Sequence, residues 1–491
     1  MSIRINEGND MNRRAHTGRT AVRGATTARR AEATAKRGEP AGMVKALVLV
    51  LALAVTITLA VTLLLASPSG AEAQVRMTVP PQSEPIALQG ATIHTVSDGV
   101  IENGTIVFVD GVITAVGADV DIPAGARVVD ATGKHIYPGL IDAYSTVGIA
   151  EIGAVGVSND VNELGDFNPN VRADVAVNAE SRHIGTSRSA GVLTTLTTPG
   201  GGLISGMSSA MALEGWSWEE MSLESAAALN VNWPDPNPRP FRWGGFGGGD
   251  PDDRPTYEEQ VQQIKGFFAE ARAYRDAVQA GEEVRTDSRY AAMIPAIDGE
   301  IPVVIGADGA AQINDAITWA QEEGLRIVIR GGQDAIHVAD RLAAEEIPVI
   351  LTSTMDAPGR DYEGYDGTYG MPARLHEAGV KFAISGGAGS LYTNRLGYEA
   401  GVAVAFGLPE EEALKAVTLN AAEFMGLDDR LGSLEVGKQA TLLITTGSPM
   451  DTQGDIEQAY IQGRELDMMD IQKWFFEKYM EKLNQRMRVV S

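Results

Sequence analysis

The stretch Pro138-Gly-Leu-Ile-Asp142-Ala-Tyr144-Ser-Thr146-Val-Gly148 decides how the rest of the chain is read. A Pro-Gly turn leads into a short run in which Leu140, Ile141 and Val147 supply β-type apolar character. Alternate side chains of an extended strand face one way, so Asp142, Tyr144 and Thr146 are expected on a common face.

Downstream of this stretch, strand and helix patterns alternate. Strands are expected at 140–147, 192–197, 301–305, 325–329, 347–351 and 380–384, with two more between 211 and 231. Helices are expected at 257–280, 310–323, 334–344, 372–378, 396–406 and 410–417. Residues 233–253, rich in Pro, Gly and Asp, read as a long surface loop near one mouth. Upstream, residues 86–136 alternate short β-type runs with Gly90, Asp98-Gly99, Asn103-Gly104, Asp110-Gly111 and Gly117, a spacing that argues for hairpins. The same style returns at 440–444 and 458–465. The expected fold is therefore α/β: a (β/α)8 TIM-like barrel over 137–431, with a small β-sandwich domain formed from both ends of the chain, 86–136 plus 432–466. A helix over 467–491 closes the chain, with Trp474, Phe475, Tyr479, Leu483 and Met487 near one face. Packing on its own domain is the first expectation for that face, a dimer contact the second.

The 491 residues suffice for a barrel of about 250 residues with insertions and a second small domain. Hydrophobic residues at 44% and charged residues at 21% are those of a globular chain. With no cysteine, disulfides, thiolate metal sites and a cysteine nucleophile are all excluded. Charge is divided along the chain: residues 1–45 carry a net +6, and subtracting this from the total of −25 leaves −31 for the remainder. So acidic a body repels phosphate backbones, and no nucleic acid partner is expected. Residues 46–66 form an uncharged apolar run, and Ala71-Glu72-Ala73 has the small-x-small form of a cleavage site, so residues 1–73 read as a basic head and signal peptide cut before Gln74. An uncleaved anchor through 46–66 is the alternative, since the run approaches the length that spans a bilayer. Either reading places the body outside the cytoplasmic membrane, in the periplasm or beyond.

The motif at 138–148, the run 197–206 (Thr-Thr-Pro-Gly-Gly-Gly-Leu-Ile-Ser-Gly), and residues 228–234, 375–384 and 431–449 together resemble the amidohydrolase superfamily, in its exported, imidazolonepropionase-like branch. The resemblance covers about residues 86–467. In that family the opening strand reads Pro-Gly-Leu-Ile-Asp-x-His-x-His, and its two histidines hold a catalytic metal, zinc or another divalent ion. Here those positions are Tyr144 and Thr146. Where relatives carry a histidine after Pro-Val-Val-Ile, this chain has Gly306, followed by Ala307 and Asp308. After Ile-Val-Ile comes Arg330-Gly331-Gly332, and on the last strand Gly387 occupies the place of the family's aspartate. Catalytic zinc needs about three His, Asp or Glu ligands and one open position. The resemblance thus implies a degenerate metal site, with no cofactor predicted. His16, His94, His135, His183, His337 and His376 fall in the targeting segment, the β domain or helical patterns, where ordinary packing roles are the expectation.

Loop carboxylates at Asp308, Asp356, Asp361, Glu363 and Asp366 match no known metal-loop spacing. Asp142, paired with another carboxylate, would suit acid–base work; a structural bond at the strand start is the plainer expectation. The glycine turns at 200–202 and 386–389 lack the strand and helix context of a phosphate loop. Three functions follow as expectations. The first is a non-catalytic subunit or ligand-binding protein, paired with an intact amidohydrolase paralogue or a second copy, or holding a small molecule at the barrel mouth. The second is an active hydrolase of carbon–nitrogen bonds in cyclic amides or dipeptide-like substrates, with unconventional ligands. The third is a structural subunit of an envelope complex.

Overall fold

The computed structural model describes residues 78–236, 255–358, 360, 363–387 and 389–490. The basic head, apolar run and cleavage site, most of the 233–253 loop, Asp361 and Ala388 lie outside them. Sixteen strands run along the described chain. The first five are β1 (Ile86–His94), β2 (Val100–Val109), β3 (Val112–Gly117), β4 (Arg127–Asp130) and β5 (His135–Pro138). The barrel strands are β6 (Leu140–Ser145), β7 (Val192–Thr197), β8 (Ile204–Ala212), β9 (Ser222–Asn232), β10 (Val303–Ala307), β11 (Ile327–Gly331), β12 (Val349–Leu351) and β13 (Phe382–Ile384). Then come β14 (Leu442–Thr445), β15 (Ile456–Ile461) and β16 (Arg464–Glu465).

The barrel sheet runs in chain order from β6 to β13. From β9 through β13, and between β6 and β7, the pairing is parallel, as the alternation of strand and helix requires. The expectation of an all-parallel sheet fails at one strand. β8 pairs antiparallel with both β7 and β9. Only a short connection of turn residues separates β7 from β8, and a four-residue helix, Trp218–Met221, separates β8 from β9. A parallel crossover needs a dozen residues or more, so these connections permit only the antiparallel arrangement. β8 also begins before the 211–231 window, because its Ser, Gly, Ala and Met residues carry little β-type signal.

Side chains alternate between two apolar layers. Ile141, Leu196, Val304, Val328, Ile350 and Ala383 point into the barrel and form one core cluster. Leu140, Val303, Ile305, Ile329, Val349 and Ile384 belong to a second, which includes residues of the surrounding helices. Each fully buried aliphatic side chain contributes about 1.5–3 kcal/mol relative to exposure. The helix over Tyr257–Gln279 starts with a capping box, Thr256 Oγ1 accepting from Glu259 N while Glu259 accepts from Thr256 N. Its Phe268 meets Trp319 edge-on, at a centroid distance of 4.9 Å. The expected helix at 334–344 is a 3₁₀ turn, Ala335–Val338, followed by a short α-helix, Ala339–Ala344.

The remaining strands form one eight-stranded sheet in the order β16-β15-β14-β5-β1-β2-β3, with β4 paired to β1. Both ends of the chain build it, β5 against β14. It is a single hydrogen-bonded sheet around its own core of residues such as Leu88, Ile106, Phe108 and Leu442. The C-terminal helix spans Ile471–Val490. Only the start of its apolar face packs on its own domain as first expected, with Trp474 half-buried; Phe476 is 67% and Tyr479 58% exposed, and Phe475, Met480 and Leu483 are exposed too.

Candidate functional site

Residues from several strands converge where the parallel strands end, the face on which barrel sites are built. On β6 the strict alternation breaks. Its pairing with β7 shifts register between Asp142 and Ser145, and the strand ends at Ser145. Asp142, Tyr144 and Thr146 therefore do not share one face. Tyr144 packs against the interior cluster that holds Ile141 and Ala143. Thr146 lies beyond the strand, and its hydroxyl accepts a hydrogen bond from Ser390 N at 3.0 Å.

Asp142 is fully buried at the seam where the two ends of the barrel sheet meet. Its Oδ1 accepts from Tyr144 N at 3.2 Å and from Gly386 N at 3.4 Å, while Oδ2 has no partner. Burial pushes its carboxyl up to about 7, against the opposing pull of the nearby Ser385 and Thr393 hydroxyls and of the Tyr144 and Gly386 N–H groups. Ser385 Oγ donates to Tyr144 O at 2.7 Å, and the hydroxyls of Ser145 and Thr393 lie 2.7 Å apart. These bonds stitch β6 to the loop after β13. Gly386 is required there, since a Cβ would come within 2.8 Å of Tyr392 O and Thr393 Cα. Gly387 has φ +118, a conformation that an aspartate adopts only under strain.

Across the mouth, Asn232, Gly306 and Arg330 stand in register on β9, β10 and β11. The Arg330 guanidinium lies over the Tyr144 ring, 4.5 Å from its centroid, and Nη2 donates to Asn232 Oδ1 at 2.8 Å. Its Nε is buried without a partner. Asn232 is fixed from the other side by donating to Gly202 O and Ser205 Oγ, both at 2.9 Å. A Cβ on Gly306 would collide with the guanidinium, its Cζ being 3.1 Å away. Next to it, Gly331 has φ +101 and leaves space for the Asp308 carboxylate. Partial burial raises the Asp308 carboxyl above its ordinary value, an effect that Arg330 opposes and Asp235 and Asp334 reinforce.

The structure thus brings Tyr144, Gly306, Asp308, Gly331 and Arg330 together, and assigns Asp142, Thr146 and Gly387 to the β6–β13 seam. Asn232, Ser385 and Thr393 are the residues that the sequence reading passed over. The signal for the first was an asparagine at the end of an otherwise apolar strand, two residues after another, Asn230. Asn230 donates to Gly206 O and Ser208 Oγ, with its own Oδ1 unpartnered. Of the described histidines, His337 lies in the Ala335–Val338 turn beside Asp334, and the others are placed elsewhere. His94 and His135 contact each other in the β sheet, His183 bonds Glu151 O at 2.9 Å, and His376 lies 3.9 Å from Glu412. Among the described residues no group of three or more His, Asp or Glu could hold a metal ion. At the mouth the donor chemistry does not fit one either, because a guanidinium fills the space beside Gly306.

Known proteins resemble this chain in sequence and in fold. The Amidohydrolase family model matches residues 364–474. The imidazolonepropionase of Geobacillus kaustophilus (strain HTA426) is 26% identical over 398 residues, covering 70% of this chain and 84% of that protein. The imidazolonepropionase of Syntrophobacter fumaroxidans (strain DSM 10017 / MPOB) is 40% identical over 82 residues, 16% of this chain and 19% of that protein. Among solved structures, an amidohydrolase from Thermotoga maritima MSB8 matches with a TM-score of 0.70 at 28% identity, over 78% of this chain and 99% of that one. The chain is thus similar to amidohydrolase-superfamily proteins, with imidazolonepropionase-like relatives at low identity.

Proposed function

We propose that this is an exported amidohydrolase-fold protein that works without hydrolysis, as a ligand-binding protein or as the partner of an intact paralogue. The observation that carries this reading is the Arg330 guanidinium, stacked on Tyr144 and bonded to Asn232 in the volume that a side chain at 306 would need. A fixed cation there repels a divalent metal, and neither Tyr144 nor Thr146 offers an imidazole. The apolar run 46–66 and Ala71-Glu72-Ala73 support export.

The test is metal content by plasma mass spectrometry on full-length protein purified without chelators, together with turnover of lactams, imidazolones and dipeptides with added zinc. Metal well below one equivalent with no turnover is expected. Near-equimolar zinc with turnover would refute the proposal.

A second reading, an active hydrolase of carbon–nitrogen bonds, has one specific support. Asp142 is held at about 7, in the range of a general acid or base. Against it, the carboxyl is wholly buried and faces the β6–β13 seam. An Asp142→Asn variant that abolished a measured turnover would favour this second reading.

A further inference from the structure

We infer that Arg330 is the anchor of a binding site for a small carboxylate at the barrel mouth. The inference rests on the non-hydrolytic reading above and names the ligand class of the vacated site.

A guanidinium is always charged, and away from bulk water it is costly unless an anion faces it. In this strongly acidic chain, nine described arginines pair with a carboxylate. Arg330 is among those that no ion pair of the described residues includes, and it stands inside the barrel mouth. It is only half-buried, one N–H donates to the neutral amide oxygen of Asn232, and Nε has no partner. The acid beside it, Asp308, stands where a Gly331 side chain would be and acts on it through space.

The group is also held in place. The Tyr144 ring packs on one face, Nη2 occupies the space that a Gly306 side chain would need, and Asn232 is itself locked by Gly202 O and Ser205 Oγ. A planar donor fork held with unused N–H groups is the geometry that takes a carboxylate. Asp308 is its internal competitor, which sets the site's preference for a ligand with one negative charge over one with two.

The test uses full-length protein and three probes at constant ionic strength: propionate, its uncharged isostere propionamide, and inorganic phosphate. Propionate should raise the melting temperature with a saturable concentration dependence, and propionamide should not. Arg330→Gln should weaken propionate binding at least tenfold. Arg330→Lys, which keeps the charge but not the fork, should weaken it several-fold. Asp308→Asn should tighten it several-fold.

Equal shifts by propionate and propionamide would overturn the inference, and so would saturable binding of phosphate in preference to propionate. If Arg330→Gln fails to fold by near-ultraviolet circular dichroism, the other two variants decide. Unchanged propionate binding in both would overturn the inference. Metal is measured on the same samples. Metal-free protein without carboxylate dependence sinks this inference alone, whereas a zinc-loaded hydrolase sinks the reading beneath it.

Discussion

Gly306 and Arg330, paired in register on adjacent strands, compete for one volume: a Cβ at 306 would sit 3.1 Å from the Arg330 Cζ and closer still to Nη2. Neither residue is therefore independent. Gly306→Ala should destabilise the protein by about 1–3 kcal/mol, the usual cost of overpacking. In an Arg330→Ala background the same change should cost less than half as much. Denaturant melts of the four proteins in the cycle check this, and equal costs in both backgrounds would show that the two side-chain volumes do not interact.

The buried Asp142 carboxyl supplies a pH dependence of definite sign. Its folded value of about 7 lies above the 3.8 of the free group, so the folded state binds the proton more tightly. The contribution is most favourable below about 4 and is lost as pH rises through 7. Asp142→Asn keeps an acceptor for Tyr144 N and Gly386 N and removes that titration. Relative to wild type it should gain of the order of a few kcal/mol between pH 4 and 8. A difference that stays flat across this range would mean that Asp142 is not protonated at neutral pH in the fold.

His94 acts in the opposite direction. Its Nε2 lies 3.1 Å from His135 Nδ1 and its ring stacks on Tyr137 at 4.1 Å. Burial first, then the neighbouring His135, lower its value from 6.5 to about 4, against a smaller opposing effect of Glu102. The folded state disfavours the charged ring, so the stability that goes with neutral His94 is present above about 6.5 and drains away as pH falls towards 4. The melting temperature of wild type should fall more steeply over this interval than that of His94→Gln. Parallel curves would remove His94 from the acid response.

The exposed apolar face of the C-terminal helix suits a contact between copies or with another protein, as the two alternative expectations for this segment had it. Replacing Phe476 and Tyr479 with Ser removes much of that face at positions 67% and 58% exposed. The sedimentation coefficient should drop to that of a smaller species, with the melting temperature unchanged. An unchanged sedimentation profile would leave the face without a protein partner.

Much of the architecture was legible because apolar periodicity and turn residues carried it. Val192–Thr197 emerged with its observed bounds, and hairpins turn at Asp98-Gly99 and Asp110-Gly111, whereas Asn103-Gly104 lies at a bulge inside β2 and makes no turn. β8 was hidden because Ser205, Gly206, Ser208 and Ser209 have the composition of a loop. At the site, the sequence marked Arg330 only as the place where a histidine was missing. That its guanidinium stacks on Tyr144 and excludes a side chain at 306 depends on which strands lie side by side, which no local pattern records. The common face expected for Asp142, Tyr144 and Thr146 failed for a similar reason, because a register shift in the β6–β7 pairing reorients the strand end.

The pairing of His135 with Thr445 joins residues 310 positions apart in the chain. During synthesis β5 therefore waits with its β14 edge bare until the whole barrel has been made. Loop-closure entropy makes contacts of such separation late and slow to form. The barrel strands are local by comparison, so folding should proceed from the middle outwards, with the ends joining last. A chain stopped before Leu442 would hold a barrel next to an unfinished sheet, an aggregation-prone species whose lifetime the synthesis of the last strands has to cut short.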